Sequence, residues 1–390
     1  MPCVRLAFCC LWALPIHVQS PRSETKVPSK ADIVNAGASV FGQQAVLHNH
    51  MGEQHTLNPG SPNMGTIAIT GSAGYLGSHL VGLLEDSLRA KHIVSIDQRT
   101  PTTARQKTRH FQVDLTAHNA EDQLSDILKA ENVSTVVHLA FHDSPTHTPD
   151  ASHDLESVGT MRILNASRRT GVTKFVMWSQ TSLYGASPKN PCYLDERRPL
   201  CADVSEMFFR DKIQAERDVL EFGQPGRGRV ATILRTAPLV GPHISNHFTR
   251  YFSQTYIPTV LGFDPLFQFL HEADAIAAFK RALDVDAPGI FNISGDGVLP
   301  LGKAIRLLGK RKVPLTRPIA HLLLGAMWVA RAGAIPPHFL NYIQYACISD
   351  TERSRKILGF VPLHSSRETI VEFGSAQKLR EVHLLSEIPA

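Results

Sequence analysis

Hydrophobic and polar positions follow two alternating periods along most of the chain after residue 64. Short apolar and β-branched runs recur, and between them lie segments whose apolar residues form a stripe with a 3.6-residue repeat. Alternation of this kind predicts an α/β fold, a doubly wound parallel sheet covered by helices on both faces. The predicted strands are 66–70, 92–97, 111–114, 135–140, 174–179 and 230–235, and the helices after the first are 122–129, 155–169 and 206–222.

A glycine-rich turn joins the first strand to the first helix. Residues 70–77 read Thr-Gly-Ser-Ala-Gly-Tyr-Leu-Gly, and glycine lets backbone N–H groups approach a pyrophosphate at a helix N-terminus. A glycine triplet alone also occurs in plain structural turns, but here strand, glycines and helix come in the required order. The pattern predicts a dinucleotide site formed by Gly71, Ser72, Ala73, Gly74, Tyr75, Leu76 and Gly77.

An aspartate is the last residue of each of the next two predicted strands. Asp97 lies twenty residues after Gly77, where a carboxylate can accept hydrogen bonds from the adenosine ribose of NAD. Arg99 would instead meet a 2′-phosphate, so NADP stays open as the alternative. Asp114 is placed to bond the adenine amino group. For both aspartates the structural alternative is capping or turn formation.

Composition narrows the class of protein without identifying a ligand. The 390 residues are 43% hydrophobic and 19% charged, as in a soluble globular protein, and the net charge of +5 comes without a dominant basic block. Nucleic-acid binding is therefore not expected. The scattered Cys192, Cys201 and Cys347 form no CxxC or Cys/His cluster, so neither a metal site nor a disulfide framework is expected.

The first 63 residues differ from the rest. Arg5 precedes an apolar run at 6–14 that resembles a signal peptide without a clean cleavage site, and residues 19–63 are polar with little periodicity. Three interpretations stay open: an upstream extension before a true start at Met64, a disordered or targeting leader, and a genuine signal or anchor. Because dinucleotide cofactors are intracellular, the expected location is cytoplasmic.

Several separated motifs resemble, in the family's order, the extended short-chain dehydrogenases/reductases, the NAD-dependent epimerase/dehydratase group. They are Thr70-Gly71-x-x-Gly74-x-x-Gly77, Asp97, Val113-Asp114-Leu115, His138-Leu139-Ala140, Tyr184-Gly185, Lys212 with Glu216, Leu234-Arg235-Thr236-Ala237 to Gly241-Pro242, residues 268–274, Phe291-Asn292-Ile293 and Leu358-Gly359-Phe360-x-Pro362.

The resemblance implies a Rossmann-type domain at 64–240 and a smaller α+β part at 241–390 that is mainly substrate-binding, with segments near 268–295 returning to the Rossmann domain. It adds Leu115, Leu139, Ala140 and Lys212 to the cofactor-binding residues, with NAD as the cofactor. It also implies a small-molecule substrate such as a nucleotide sugar, and a homodimer through helices 155–169 and 206–222.

Two positions depart from the family's chemistry. Such enzymes resemble one another in using a tyrosine four residues before the lysine as acid/base, with a serine or threonine holding the reacting oxygen. Lys212 matches the lysine, but Phe208 stands at the tyrosine position and Gln180 at the hydroxyl position. The candidate substitutes are His142, Gln180 and Tyr184. His138 is expected to cap its strand or to bond backbone.

Two functional hypotheses follow from these departures. One is an epimerase, dehydratase or oxidoreductase with a non-standard acid/base, and the other is a non-catalytic NAD-responsive regulator or scaffold.

The C-terminal part carries fewer chemical signals. Residues 243–266 suit a substrate-binding wall, and His271 and Asp274 are expected to be structural. The apolar stretch 319–334 follows several basic residues and is too short to span a bilayer. The expectation for it is an amphipathic helix packed over the substrate site, without membrane contact; contact with a membrane or lipid is the alternative.

Overall fold

A computed structural model describes residues 64–386, except 227, 332 and 334. The predictions for the leader at 1–63 therefore lie outside the described residues. The thirteen strands are β1 (Met64–Thr70), β2 (Ala90–Asp97), β3 (Thr108–Gln112), β4 (Val133–His138), β5 (Lys174–Gln180), β6 (Val230–Thr236), β7 (Leu239–Val240), β8 (Tyr256–Val260), β9 (Leu266–Phe267), β10 (Leu270–His271), β11 (Gly289–Ile293), β12 (Leu299–Pro300) and β13 (Arg311–Leu315).

The helices interleave with these strands as the pattern predicts. They are α1 (Tyr75–Glu85), α2 (Ala120–Ala130), α3 (Pro149–His153), α4 (Gly159–Arg169), α5 (Met207–Phe222), α6 (His247–Ser253), α7 (Glu272–Asp284), α8 (Leu301–Leu307), α9 (Arg317–Val329) and α10 (Ser366–Ser386). A π-helical turn at Asp154–Val158 joins α3 to α4. The helix predicted at 155–169 thus begins six residues earlier, at Pro149.

The main sheet confirms the predicted fold class. Its seven strands lie in the order β11-β6-β5-β4-β1-β2-β3, and every neighbouring pair is parallel. Three two-stranded sheets, β7 with β10, β8 with β13 and β9 with β12, complete the strand pairing among the described residues. This is the doubly wound Rossmann-type arrangement, in which ligands bind at the carboxyl ends of the strands.

Apolar residues of the sheet divide between two cores. On one face, Ile67 and Ile69 of β1 pack with α1 and α7; on the other, Ala68 packs with α2, α4 and α5. A third cluster, rich in aromatic residues, lies beyond the sheet and includes Phe208 and Phe209 at the start of α5. The described residues of 64–386 form one compact unit, and the division near residue 240 stays a prediction.

A buried polar network joins three strands to α5. The Tyr184 hydroxyl donates to Asn292 Oδ1 (2.8 Å) and accepts from Arg235 Nη1 (2.9 Å). Arg235 also pairs with Glu216, which accepts a 2.5 Å bond from the Ser179 hydroxyl. Because each of these buried groups has a partner, the network fixes the end of the sheet beside the candidate site.

Candidate functional site

The β1–α1 loop lies against the backbone that follows β4. Gly71 has φ +70°, and a Cβ atom there would lie 2.7 Å from the backbone nitrogen of Ala140. A Cβ at Gly77 would overlap the carbonyl oxygen of Gly71. Only glycine therefore allows the first turn of α1 to pack on the loop, which leaves the loop backbone facing the sheet edge where an anion would bind.

Asp97 lies beside this loop, as the sequence predicts. Its Oδ2 accepts from the Ala73 N–H at 3.0 Å and its Oδ1 from the Arg99 N–H at 3.1 Å. Ser72, buried beneath, shares a 2.7 Å bond with Ser95 of β2. The carboxylate thus orders the loop and stays at the rim where a ribose would lie.

Asp114 makes a local turn. Its Oδ1 accepts from the backbone N–H of Thr116 (2.9 Å) and from the Thr116 hydroxyl (2.7 Å). These bonds hold the pKa of Asp114 below its usual range. This is the structural alternative given above, and the adenine contact stays a prediction.

The other predicted cofactor residues are placed mainly by apolar packing. The side chains of Leu76 and Leu139 belong to one core, and those of Leu115 and Ala140 belong to the other. Such residues would meet a cofactor through their backbone. The ring of Tyr75 lies at the rim, stacked against His243 with centroids 6.1 Å apart.

His138 is buried, and its ring is bonded to two side chains. The expectation from the sequence that it bonds backbone is therefore wrong. Its Nδ1 lies 2.6 Å from Thr70 Oγ1 and its Nε2 lies 2.9 Å from Thr160 Oγ1. The Thr160 hydroxyl donates to the Glu156 carbonyl (2.5 Å), so it accepts from Nε2–H, and Nδ1 accepts from Thr70. Burial lowers the pKa of His138 to about 3, so this imidazole is neutral and structural.

Lys212 forms a buried ion pair that the sequence analysis misses. Its Nζ donates to Glu156 Oε1 (2.8 Å) and to the carbonyl oxygen of His142 (2.7 Å). Glu156 Oε1 also accepts from the His142 N–H at 2.9 Å. Burial lowers the pKa of Lys212 and raises that of Glu156, so each charge depends on the other.

Part of the signal for this pair is present in the sequence, namely an acidic residue at helical spacing from Thr160 and Ile163. Glu156, Thr160 and Ile163 lie four and three residues apart and are all fully buried, so Glu156 is an acidic residue on the inward stripe of a helix. A buried carboxylate needs a cationic partner. The π-helical turn around Glu156, which sequence periodicity does not reveal, sets its position along that stripe; such turns are frequent at functional sites.

Phe208 occupies the space over the lysine. The Lys212 Nζ lies 4.6 Å from the centroid of the Phe208 ring and 5.0 Å from that of Phe141. Phe208 also packs on Phe209 and Phe339 in the aromatic cluster. The phenylalanine therefore keeps a cation–π contact with the lysine while offering no proton.

Gln180 and Tyr184 have different surroundings. Gln180 Oε1 accepts from the Ser182 hydroxyl at 3.2 Å, and both line a cavity of about 20 Å³ with Asp143 and His247. His247 Nε2 is buried without a hydrogen-bond partner among the described residues. Tyr184, by contrast, is engaged in the network with Arg235 and Asn292, and burial raises its pKa to about 12. That environment is structural.

A larger cleft of about 650 Å³ opens beside the same loop. His142, Asp143 and Ser144 line it from one side, and Arg250, Trp328 and Arg331 line it from the other. Burial lowers the pKa of His142 and raises that of Asp143. Asp143 lines both the small cavity and the cleft, a position that the sequence analysis does not single out.

One group among the described residues has the spacing of metal ligands, namely His271, His364 and Glu372. His271 Nδ1 accepts from the Ala273 N–H (3.2 Å) at the start of α7, and its Nε2 lies 3.4 Å from Glu372 Oε2. His364 bonds Asp274 Oδ2 at 3.0 Å. Both histidines thus have structural hydrogen-bonding roles, as expected for His271 and Asp274.

Comparisons with known proteins agree with this geometry. The family model described as "NAD dependent epimerase/dehydratase family" matches residues 67–294. An uncharacterised protein of Mycobacterium tuberculosis is 27% identical over 317 residues, covering 79% of this chain and 82% of that protein. UDP-glucose 4-epimerase 1 of Oryza sativa is 30% identical over 294 residues, covering 64% of this chain and 82% of that protein.

A solved structure shares the fold. A short-chain dehydrogenase/reductase superfamily protein from Agrobacterium tumefaciens, solved with bound NAD, superposes with a TM-score of 0.63 at 21% identity. The match covers 83% of this chain and all of the other.

The buried His138 predicts a pH dependence of stability. Its pKa of about 3 in the folded protein lies below about 6.5 in the unfolded chain, so the folded state resists protonation. The contribution of the neutral ring to the free energy of unfolding is complete above about pH 6.5. It is lost as the pH falls toward 3, by about 1.4 kcal/mol per pH unit. Urea unfolding between pH 7 and pH 4 should show a slope that is shallower by about this amount in His138→Asn.

The matched control is Thr160→Val, which removes a hydrogen bond to the ring but keeps the titrating group. It should lower the unfolding free energy at every pH and leave the slope unchanged. Parallel curves for wild type and His138→Asn would contradict the assignment of a buried neutral imidazole.

Proposed function

This chain belongs to the NAD dependent epimerase/dehydratase family, and we propose that it binds NAD at the β1–α1 loop and passes a hydride between NAD and a small-molecule alcohol. The observation that carries the proposal is the fit of Gly71 against Ala140 with Asp97 beside the loop. That arrangement supports a pyrophosphate on the loop backbone and a ribose on the carboxylate. The family's name and the NAD bound to the Agrobacterium structure support the same cofactor.

Lys212 keeps the means to hold the nicotinamide ribose. An ammonium group has three N–H donors, and two of them are directed at Glu156 and His142. The third is available for a ribose hydroxyl. Glu156 therefore does not exclude the lysine from cofactor binding, and it holds the ammonium group in one position.

Asp143 is the group that we assign to proton transfer. Phe208 has no proton to exchange, whereas the Asp143 carboxyl lines the cleft together with His142 and the small cavity together with Gln180. Its pKa is raised by burial, toward the range in which a carboxyl group works as a general acid/base. In alcohol oxidation the substrate's C–H hydride would pass to NAD and its O–H proton to Asp143. His142, the substitute named from the sequence, would be the second choice.

The cleft suits an anionic substrate of moderate size. Its volume of about 650 Å³ is ordinary for a small-molecule site, and Arg250 and Arg331 in its lining would pair with a diphosphate. A relative from Oryza sativa is named UDP-glucose 4-epimerase. These features support a nucleotide sugar as the substrate class.

A second candidate function is NAD binding without turnover. The Phe208 ring is fixed by Phe209, Phe339 and Lys212, so the space of the usual phenol is filled by an inert group. A protein of this kind would act as an NAD-responsive regulator or scaffold. Exposed Met161 and Leu220 lie on the two helices proposed for a homodimer, and such a dimer would serve either function.

Calorimetric titration tests cofactor binding. NAD should bind wild type more tightly than NADP, and Asp97→Ala should weaken NAD binding by about tenfold or more, because a charged hydrogen-bond acceptor is lost. Asp122→Ala, at an exposed carboxylate on α2, is the control and should bind NAD as wild type does. Absence of binding to either nucleotide would refute both candidate functions.

Turnover assays separate the two candidates. If the protein is an enzyme, it should form NADH or an altered sugar, detected by mass spectrometry, when it is given NAD with UDP-glucose, UDP-glucuronic acid or dTDP-glucose. Asp143→Asn should then reduce kcat by about a hundredfold or more with unchanged NAD affinity, while Asp122→Asn, at the exposed carboxylate on α2, should retain wild-type activity. Phe208→Tyr restores a phenol beside Lys212 and should raise turnover.

If wild type binds NAD but converts none of these substrates, and Phe208→Tyr creates activity, the binding function is favoured. If Asp143→Asn is as active as wild type, the proposed role of Asp143 is wrong. His142→Ala then tests the remaining substitute.

A further inference from the structure

Helix α9 turns its apolar side chains outward. Of its thirteen residues, only Ala320 and Leu324 are buried, whereas Ile319, Leu322 and Val329 expose 55, 74 and 84% of their surface. Leu323 and Ala326 are also exposed. Leu322 and Leu323 are adjacent and the other steps between these positions are of three or four residues, so the five form one continuous stripe. A helix occupies the first part of the expected segment 319–334 and ends at Val329, but much of its apolar surface is not packed on the protein.

The chain around this helix is strongly basic. Residues 297–349 contain seven lysines and arginines and no aspartate or glutamate. Because the whole chain has a net charge of +5, the remaining sequence is slightly acidic, and the positive charge is concentrated in the segment that contains α9. The basic positions are Lys303, Arg306, Lys310, Arg311, Lys312, Arg317 and Arg331.

Two of these cations lie on a strand close to the helix. Arg311 and Lys312 are exposed on β13, which pairs with β8, and β8 contacts α9. Arg317, in the first turn of α9, bonds Asn341 at 3.0 Å. An apolar stripe bordered by cations is the composition of helices that lie in a membrane interface.

We propose that α9 docks the protein on the surface of an anionic lipid bilayer. Every helix in the described part of the chain is too short or too polar to span a bilayer. A thirteen-residue helix is about 20 Å long, so α9 would lie in the plane of the interface with Leu322 and Val329 among the acyl chains. This proposal replaces the expectation of no membrane contact and does not depend on the proposed function.

The positive charge of this segment favours a bilayer over a second copy of this chain as the partner that covers the α9 stripe. A symmetric dimer through α9 would bring two copies of this basic segment together, and that repulsion is unfavourable. Anionic headgroups would neutralise the same charges. Trp328 and Arg331 line the cleft that contains His142 and Asp143, so docking would bring this cleft close to the lipid surface.

Vesicle flotation of the full chain tests the proposal. The wild type should float with vesicles that contain phosphatidylcholine and about one-third phosphatidylserine, and should float less at high salt. The variant Leu322→Glu/Val329→Glu should lose about tenfold or more in apparent affinity, since two exposed apolar anchors become charged. Arg311→Gln/Lys312→Gln should lose about fivefold for each charge removed.

The matched control is Leu88→Glu, because Leu88 is 93% exposed and lies in the turn between α1 and β2. It should float as wild type does, and thermal unfolding should show that every variant is folded. The proposal is overturned if wild type does not float with anionic vesicles. It is also overturned if the α9 variant floats like wild type, which would assign binding to another segment such as the apolar run at 6–14.

Sedimentation velocity tests whether the exposed stripe of α9 binds a second copy of this chain instead of a bilayer. Self-association that requires Leu322 and Val329, in a wild type that does not float, would identify a second copy as the occupant and refute membrane docking.

Discussion

The buried ion pair between Lys212 and Glu156 constrains the arrangement of the candidate site. Neither charge is stable in a low-dielectric interior without the other, and the pair is completed by the backbone N–H and C=O of His142. One interaction thereby joins the β4 loop, the π-helical turn and α5. Phe208 fits this arrangement because its ring faces the ammonium group. The missing phenol therefore leaves a packed structure around the lysine, in which Glu156 Oε1 is paired while Glu156 Oε2 is buried without a hydrogen-bond partner among the described residues.

Much of the cofactor half of the site follows from local sequence rules. Gly71, Gly77 and Asp97 lie where a strand, a tight turn and a helix must meet, so their spacing predicts their proximity. The partner of Lys212 does not follow from such rules, because it depends on the one-residue expansion of the helix at Glu156. The His138 contacts are similarly non-local: two threonine hydroxyls from β1 and α4 converge on the ring. Sequence patterns predict the strand that carries His138, but they do not predict the two threonine hydroxyls that bond its ring.

Asp143 and α9 show a second limit on sequence interpretation. Asp143 is one polar residue in a loop of several, and it lines two cavities in a loop that contacts His247 of α6, about a hundred residues away in the sequence. The apolar pattern of α9 predicts an amphipathic helix but not which way the stripe faces. Both features break the rule that acidic groups lie outside and apolar groups inside, and such local conflicts are typical of functional positions.

A crystal structure of the chain with NAD bound tests the central claim most directly, through the identity of the side chain nearest to nicotinamide C4. The account predicts that the Asp143 carboxyl is the ionisable group closest to C4, and that Lys212 contacts the nicotinamide ribose while it remains bonded to Glu156. A structure in which NAD is bound but Lys212 has left Glu156, or in which Asp143 is directed away from the nicotinamide, would contradict it.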